Sequence, residues 1–353
     1  MMIDLAEQYN EHIKKIYNIA MTIKKEIKKE GEDHALMNNE MIKTYQEYLK
    51  GNIFYLFQYF IKAVIIKDTE FKSDPQFIDD IKNIRLCHYT SFESLKLIIE
   101  NKTLKFNSLA NMNDTSEGKI LSEVVEQYVK TSTAPENYKE NCIKIIRNKI
   151  YNNIFSFSLT TEYDDAPQWE RYSNRDTGVC LVTSIDKIGK LPRIESNNCH
   201  FNYGPIHYVD YTESTDSRIQ KSDYALYCNL YRTDVVANSR TPILDNLPTN
   251  SGFIKCSSFK NEREVRLLVE RNTSESDSFF TKDYSNTGKP FVLFNMNQYC
   301  QQFNNGSNFF ETFFDKIIIG PQSLITKEKL EQYLKQHNIN NIDVEMSTSH
   351  LKR

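Results

Sequence analysis

The sequence predicts an α+β protein that begins with helices and continues as a longer body of short strands and helices. The segment 154–159 alternates apolar and polar side chains, which is typical of a half-buried strand. Near the end of the chain an apolar, an amphipathic and a second apolar segment follow one another, which is typical of a βαβ-like unit. We therefore expect a helical appendage at 1–75 and a second domain at 76–353.

Two amphipathic helices are predicted in the appendage. Apolar residues recur at three- and four-residue steps from Ile13 to Ile27, with Lys and Glu between them. A second pattern of this kind runs from Met41 to Val64. These helices are expected to pack on the main domain or on a partner, so the appendage offers a surface for an oligomer contact.

One stretch of the appendage, 53–66, resembles a membrane segment. It is 14 residues long, whereas a helix that spans a bilayer needs ~20. It also contains Gln58 and Lys62, which lie one helical turn apart on the same face. A buried amphipathic helix explains the stretch better, and no membrane association is expected.

From residue 84 onward the sequence predicts both strands and helices. Short runs of apolar or alternating residues predict the strands, and apolar residues spaced three or four apart predict the helices. Ser91, with Glu93 in the following turn, marks the start of the first helix. The predicted strands are 84–89, 104–107, 154–159, 178–185, 206–211, 264–271, 290–294, 316–320 and 342–346. The predicted helices are 92–101, 119–130, 135–151, 218–232 and 326–337, and the predicted loops are 238–253 and 301–308.

Composition and motifs exclude several classes of protein. A net charge of −3 and a pI near 6.2 give no global electrostatic reason to bind nucleic acid or anionic lipid. The seven cysteines are single, which indicates reduced thiols and a cytoplasmic protein. Cys199, His200 and His207 lack a second ligand pair, so no metal site is expected. The motifs GxGxxG, GxxxxGK, HExxH and GxSxG are absent, so Rossmann, P-loop, zinc-protease and α/β-hydrolase sites are not supported.

Four segments, 86–118, 154–184, 259–270 and 315–353, carry a resemblance in the right order. The first segment contains HYT, a predicted helix and NDTSE, and the second contains FSFS, then a Trp, a Tyr and GVCLV. The third contains ERE followed by VR, and the fourth contains IIIGPQS. Together they resemble the bacterial domain of unknown function family 2971, which looks like a divergent relative of the ADP-ribosyltransferases. The resemblance implies a mixed, split sheet with flanking helices.

The resemblance also implies NAD as the substrate and assigns residues to it. His88 takes the position that binds the adenosine ribose, with Tyr89 and Thr90 beside it. Ser156 and Ser158 take the position that supports the nicotinamide end. Two alternatives remain: His88 caps the end of a strand, and the serine face points to solvent.

A pair of glutamates completes the implied site. Glu264 matches the catalytic carboxylate, which binds the nicotinamide ribose and stabilises the oxocarbenium-like state, and Glu262 matches the residue that orients the acceptor. The alternative is a solvated strand edge on which the two glutamates pair with Arg263 and Arg266.

The helix around the single Trp supplies further candidates. Trp169 is suited to stacking on nicotinamide or a base, or to anchoring its helix in the core. Arg171 and Arg175 are candidates for the pyrophosphate, because guanidinium matches phosphate oxygens in a bidentate way.

The resemblance therefore implies an NAD-dependent transferase that moves ADP-ribose to a macromolecular acceptor, either protein or nucleic acid. Such an activity suits a bacterial toxin or an anti-phage effector. The alternatives are a non-catalytic module that binds a nucleotide or a protein, and an NAD glycohydrolase in which water replaces the acceptor.

Overall fold

A computed structural model describes residues 84–112, 119–131, 136–148, 153–189, 195–196, 199–209, 251–271, 279–285 and 288–351. The predicted helices of the appendage, the predicted helix 218–232 and most of the predicted loop 238–253 lie outside the described residues.

The described residues form thirteen strands and eight α-helices. The strands are β1 (Arg85–Ser91), β2 (Thr103–Ser108), β3 (Ile154–Thr160), β4 (Gly178–Ser184), β5 (Glu195–Ser196), β6 (Cys199–Pro205), β7 (His207–Val209), β8 (Ile254–Cys256), β9 (Glu264–Arg271), β10 (Phe280–Tyr284), β11 (Pro290–Asn295), β12 (Lys316–Ile319) and β13 (Asp343–Met346). The helices are α1 (Phe92–Asn101), α2 (Ile120–Thr131), α3 (Glu136–Asn148), α4 (Ala166–Tyr172), α5 (Ile185–Gly189), α6 (Met296–Phe303), α7 (Phe309–Phe313) and α8 (Lys327–Gln336).

Eleven of the described strands form one mixed sheet. Its main path is β10-β11-β2-β3-β1-β4-β12-β13, while β9 pairs with β3, β6 pairs with β9 and β5 pairs with β6. β12 and β13 are parallel, as the predicted βαβ-like unit requires, and β7 and β8 form a separate parallel pair. The prediction of an α+β protein with a mixed sheet and flanking helices is confirmed.

The sheet divides at β3. One edge of β3 pairs with β9 along its whole length, from Ile154 to Thr160. On the other edge, β2 pairs with Phe155 and Ser156, while β1 pairs with Thr160. Between these points β1 turns away to pair with β4, and β2 turns away to pair with β11. We call this opening, beside residues 157–159, the fork.

The main hydrophobic core covers one face of the sheet. Every second residue of β3 and β9 is apolar and points to this face, and β1 and β12 add further apolar residues. The buried sides of α1, α6, α7 and α8 pack against them. α1 begins where predicted, because the Ser91 hydroxyl accepts a hydrogen bond of 3.1 Å from the Ser94 N–H. The opposite face carries smaller clusters together with Ser156 and Glu264, which alternate with the core residues of β3 and β9. His88 instead shares a face of β1 with the core residue Leu86 and stacks on Phe157 at the fork.

Two predicted elements differ from the structure, and some strands were not predicted. The predicted loop 301–308 overlaps α6, which forms because Met296, Tyr299 and Cys300 bury one face and Asn295 caps the first turn. The predicted strand 206–211 is the shorter β7 in the described residues. The strands β5, β6, β8 and β10 were not predicted. β5 and β8 are only two and three residues long, and β10 lacks alternation. β6 does alternate Cys199, Phe201 and Tyr203 with polar residues, so its signal was present in the sequence.

Candidate functional site

A cleft of about 510 Å³ opens at the fork, within the range of pockets that bind cofactor-sized ligands. One wall comes from β1, the floor from β3, and the other wall from β2 together with the turn between β10 and β11. The cleft exists because β1 and β2 diverge where a continuous sheet would have paired them with β3. The structure brings these predicted residues into its lining: His88, Tyr89, Ser156, Ser158, Glu262 and Glu264.

His88 lies in the middle of β1, so the alternative in which it caps a strand end is wrong. Its Nδ1 lies 2.8 Å from the Ser158 carbonyl oxygen, and its ring stacks on Phe157 with 4.3 Å between centroids. The imidazole therefore occupies the fork and bonds a carbonyl on the edge of β3 that neither β1 nor β2 reaches. Burial lowers the pKa of His88, and the bond to Ser158 offsets this only in part.

The lowered pKa keeps the His88 ring neutral, and the Ser158 carbonyl selects its tautomer. A neutral imidazole carries one proton, and a carbonyl can only accept, so the proton lies on Nδ1. Nε2 is then an acceptor, and it has no hydrogen-bond partner within the described part of the chain. The side chain can accept a hydrogen bond from a ligand hydroxyl.

Glu264 is held by two cations. Arg266 donates from Nε to Oε1 at 2.6 Å and from Nη2 to Oε2 at 3.0 Å, and the Lys255 ammonium lies 3.2 Å from Oε2. Burial alone would raise the pKa of the Glu264 carboxyl, but Arg266 and Lys255 outweigh it and lower that pKa to about 2. Glu264 is therefore an anion at any physiological pH.

Glu262 shares Lys255 with Glu264. The Lys255 ammonium lies 2.7 Å from Glu262 Oε2, and the Tyr172 hydroxyl donates a short hydrogen bond to Glu262 Oε1. Burial and the neighbouring Glu262 raise the pKa of Tyr172, so the phenol keeps its proton. Two carboxylates and two cations, counting Arg266, form a charge-balanced network. The alternative of a solvated strand edge is wrong about solvation, because both glutamates are buried, but its pairing of Glu264 with Arg266 is confirmed.

Ser156 belongs to a strand that is buried on both faces, so the alternative of a solvent-facing serine row is also wrong. Its side chain is 2% exposed, and its hydroxyl has no hydrogen-bond partner among the residues that the structure describes. A buried hydroxyl without a partner is costly. Its place in the cleft lining makes it available to a ligand.

Four residues proposed for ligand binding lie elsewhere: Thr90, Trp169, Arg171 and Arg175 do not line the cleft. Trp169 is a core residue, 3% exposed, that packs edge-on against Tyr89 and donates from Nε1 to Asp164 at 2.8 Å. Arg171 and Arg175 are exposed, because they lie on the solvent side of α4 and in the turn after it.

Three residues of the site escaped prediction from the sequence. Lys255 lies on the short strand β8, Tyr172 ends α4, and the Tyr208 hydroxyl accepts a 2.9 Å hydrogen bond from the Glu264 N–H. None of them belongs to a motif. A weak signal existed for Tyr172 alone, because it is part of the Trp-to-Tyr segment that carries the family resemblance.

Comparison with known proteins supports part of the resemblance. Residues 168–267 match the family described as protein of unknown function DUF2971. The prediction of DUF2971 is confirmed over these residues. The DUF2971 segment contains Tyr172, Lys255, Glu262 and Glu264, and therefore the acidic end of the cleft. No curated protein and no solved structure matches the sequence.

The described ranges contain neither a cluster of metal ligands nor a membrane-spanning helix. No group of three or more His, Cys, Asp or Glu side chains lies close enough together there to hold a metal ion. None of the helices in those ranges combines the length and the apolar composition needed to cross a membrane.

Proposed function

We propose that the cleft binds NAD and cleaves the bond between nicotinamide and ribose, passing ADP-ribose to a protein or nucleic-acid acceptor. The observation that supports this most is the meeting of His88, Ser156 and Glu264 in one cleft. These residues come from three strands distant in sequence, and the resemblance to ADP-ribosyltransferases assigned them to one ligand.

Binding is the task of the β1 and β3 residues. His88 Nε2 accepts a hydrogen bond from a hydroxyl of the adenosine ribose, in keeping with a neutral imidazole whose Nδ1 donates to Ser158. The unpartnered Ser156 hydroxyl bonds the ligand farther along the floor.

Cleavage is assisted by Glu264. The C1′–N bond breaks, its electron pair leaves with nicotinamide, and C1′ becomes positively charged. A carboxylate whose pKa is about 2 stays ionised and cannot act as an acid, so it stabilises that cation electrostatically. A lone pair of the acceptor then forms the new bond to C1′, and Glu262 orients the acceptor and receives its proton.

Nicotinamide release from NAD by the purified full chain tests the proposal. Glu264→Gln should slow release by roughly 10²–10³-fold, the range seen when one preorganised electrostatic contact is lost. Glu264→Asp keeps the charge while moving it, and Glu140→Gln, at an exposed position of α3 outside the cleft, is the matched control. Absence of release with protein, nucleic-acid and water acceptors, or equal release by Glu264→Gln in a folded protein, would refute the proposal.

A second candidate is a non-catalytic module that binds a nucleotide in the same cleft. It is favoured by the side chain of Glu264, which is 5% exposed and already engaged by Arg266 and Lys255, as in a structural ion-pair network. ADP-ribose binding without nicotinamide release would select this candidate, whereas release by water alone would select the glycohydrolase.

A further inference from the structure

A polar shelf lies at the end of the cleft formed by β2 and β11, away from the glutamates. Phe291, Asn107 and Ser156 are direct partners across β11, β2 and β3, so their side chains share one face of the sheet. All three line the cleft. We call this row the shelf.

Two lysines flank the shelf. Lys105 lies two residues before Asn107 on β2, and Lys289 lies two residues before Phe291, and both line the cleft. The Lys105 ammonium lies 4.3 Å from the centre of the Phe291 ring. Neither lysine forms an ion pair with any carboxylate of the described ranges.

Hydrogen bonds between Ser285 and residues 288 and 289 hold the backbone that carries Lys289. Ser285 N–H donates to the Lys289 carbonyl at 2.8 Å, Gly288 N–H donates to the Ser285 carbonyl at 2.8 Å, and Lys289 N–H donates to the Ser285 hydroxyl at 3.0 Å. Gly288 has a φ of +74°, which suits glycine. The base of the Lys289 side chain is therefore fixed at the cleft rim.

Charge is unevenly distributed along the cleft. The acidic residues among its described lining are Glu262 and Glu264, and Lys255 and Arg266 neutralise both. The shelf end has two cations and an unpartnered buried hydroxyl and lacks an acidic counterpart in that lining. Ammonium and hydroxyl groups that converge without an anion match the oxygens of a phosphate.

We infer that the shelf binds the phosphate groups of a nucleotide, with Lys105 and Lys289 as the charged contacts and Ser156 as a hydrogen-bond donor. The inference rests on the proposed function for the identity of the ligand. It places the pyrophosphate of NAD beside β2 and β11, and not beside Arg171 and Arg175 on and after α4. The reactive ribose then lies toward Glu264.

Calorimetric titration of the full chain with ADP, ADP-ribose and adenosine tests the inference. ADP and ADP-ribose should bind at least tenfold more tightly than adenosine, and their affinity should fall as salt is raised. Lys105→Met and Lys289→Met should each weaken ADP binding roughly five- to tenfold, as expected for one charge-assisted contact, and leave adenosine binding unchanged. Lys329→Met on α8 removes an equal charge outside the cleft and should change neither affinity.

The inference is overturned if ADP and adenosine bind equally, if the cleft variants bind ADP like the parent protein, or if ADP and ADP-ribose do not bind at millimolar concentration. It is also overturned if a single-stranded oligonucleotide binds while ADP does not. The two proposals fail separately: lysine-dependent ADP binding without nicotinamide release keeps the shelf and removes the catalysis. Nicotinamide release with an unchanged KM for NAD in both lysine variants keeps the catalysis and removes the shelf.

Discussion

Replacing Lys255 with methionine removes the buried cation that joins the two carboxylates of the cleft. The Lys255 ammonium lies 2.7 Å from Glu262 Oε2 and 3.2 Å from Glu264 Oε2. Methionine fills a similar length without charge. After the change Glu264 keeps Arg266, whereas Glu262 keeps the Tyr172 hydroxyl, so the buried network carries one uncompensated negative charge.

The size of the effect follows from these distances. At an effective dielectric constant of 20, unit charges at these separations attract by about 6 and about 5 kcal/mol. Part of this loss is offset, because the ammonium no longer has to leave water on folding, a step that costs several kcal/mol. The free energy of unfolding should therefore fall by about 3–5 kcal/mol, as when one partner of a buried ion pair is removed.

The pH dependence of the effect has a definite sign. In the parent protein the folded-state pKa of Glu264 is about 2, below its ordinary value of 4.5. The stability that this difference contributes is fully present above about pH 4.5 and is lost as the pH falls through 2. Without Lys255, Glu264 loses one of the two cations that lower its pKa, so it binds its proton at higher pH. The destabilisation should be largest near pH 7.5 and smaller at pH 5.

Urea unfolding followed by Trp169 fluorescence measures the change, since Trp169 is the single tryptophan and is buried. Lys329→Met is the surface control, and Lys255→Met combined with Glu262→Gln restores neutrality and should recover part of the loss. A loss below about 1 kcal/mol at pH 7.5, equal losses at both pH values, or no recovery in the double variant would refute the electrostatic reasoning.

Two further predictions concern the packing behind the cleft. Gly320→Ala should lower the free energy of unfolding by about 1–3 kcal/mol, because a Cβ there would lie 3.0 Å from Trp169 Cζ3 and 3.1 Å from the Gly178 carbonyl oxygen. Urea unfolding measures this loss, and an unchanged midpoint would contradict the tight contact. Trp169→Phe removes the indole donor to Asp164 and should cost about 1–3 kcal/mol; circular dichroism during thermal unfolding measures it, and a stability equal to that of the parent protein would show that the bond contributes nothing.

Much of the fold was predictable because its signals are local. The Ser91 cap and the apolar spacing of α1 lie within one short segment. β9 was predicted with its observed bounds because Val265, Leu267 and Val269 form one apolar strand face. α6 was missed because its asparagine- and glutamine-rich sequence resembles a loop, and burial of one face against the core makes it a helix.

The candidate site was predictable only where a motif carried it. His88, Ser156 and Glu264 stood out through the order of the family segments. Lys255 could not be predicted from a motif. Its contact with the glutamates depends on the pairing of β7 with β8, and no local sequence pattern predicts that pairing. Arg171 shows the opposite error: guanidinium suits a phosphate chemically, but chemistry alone did not reveal that its helix presents it to solvent.

The fork also has a consequence for the edge of β3. A strand edge without a neighbour can recruit a foreign strand, and native proteins block such edges with side chains or short detours of the chain. At the fork the His88 imidazole occupies the Ser158 carbonyl in place of a backbone N–H. The same side chain that we assign to a ligand thus also satisfies a backbone carbonyl in the middle of the sheet, so a substitution of His88 by a residue that cannot donate leaves the Ser158 carbonyl without this partner.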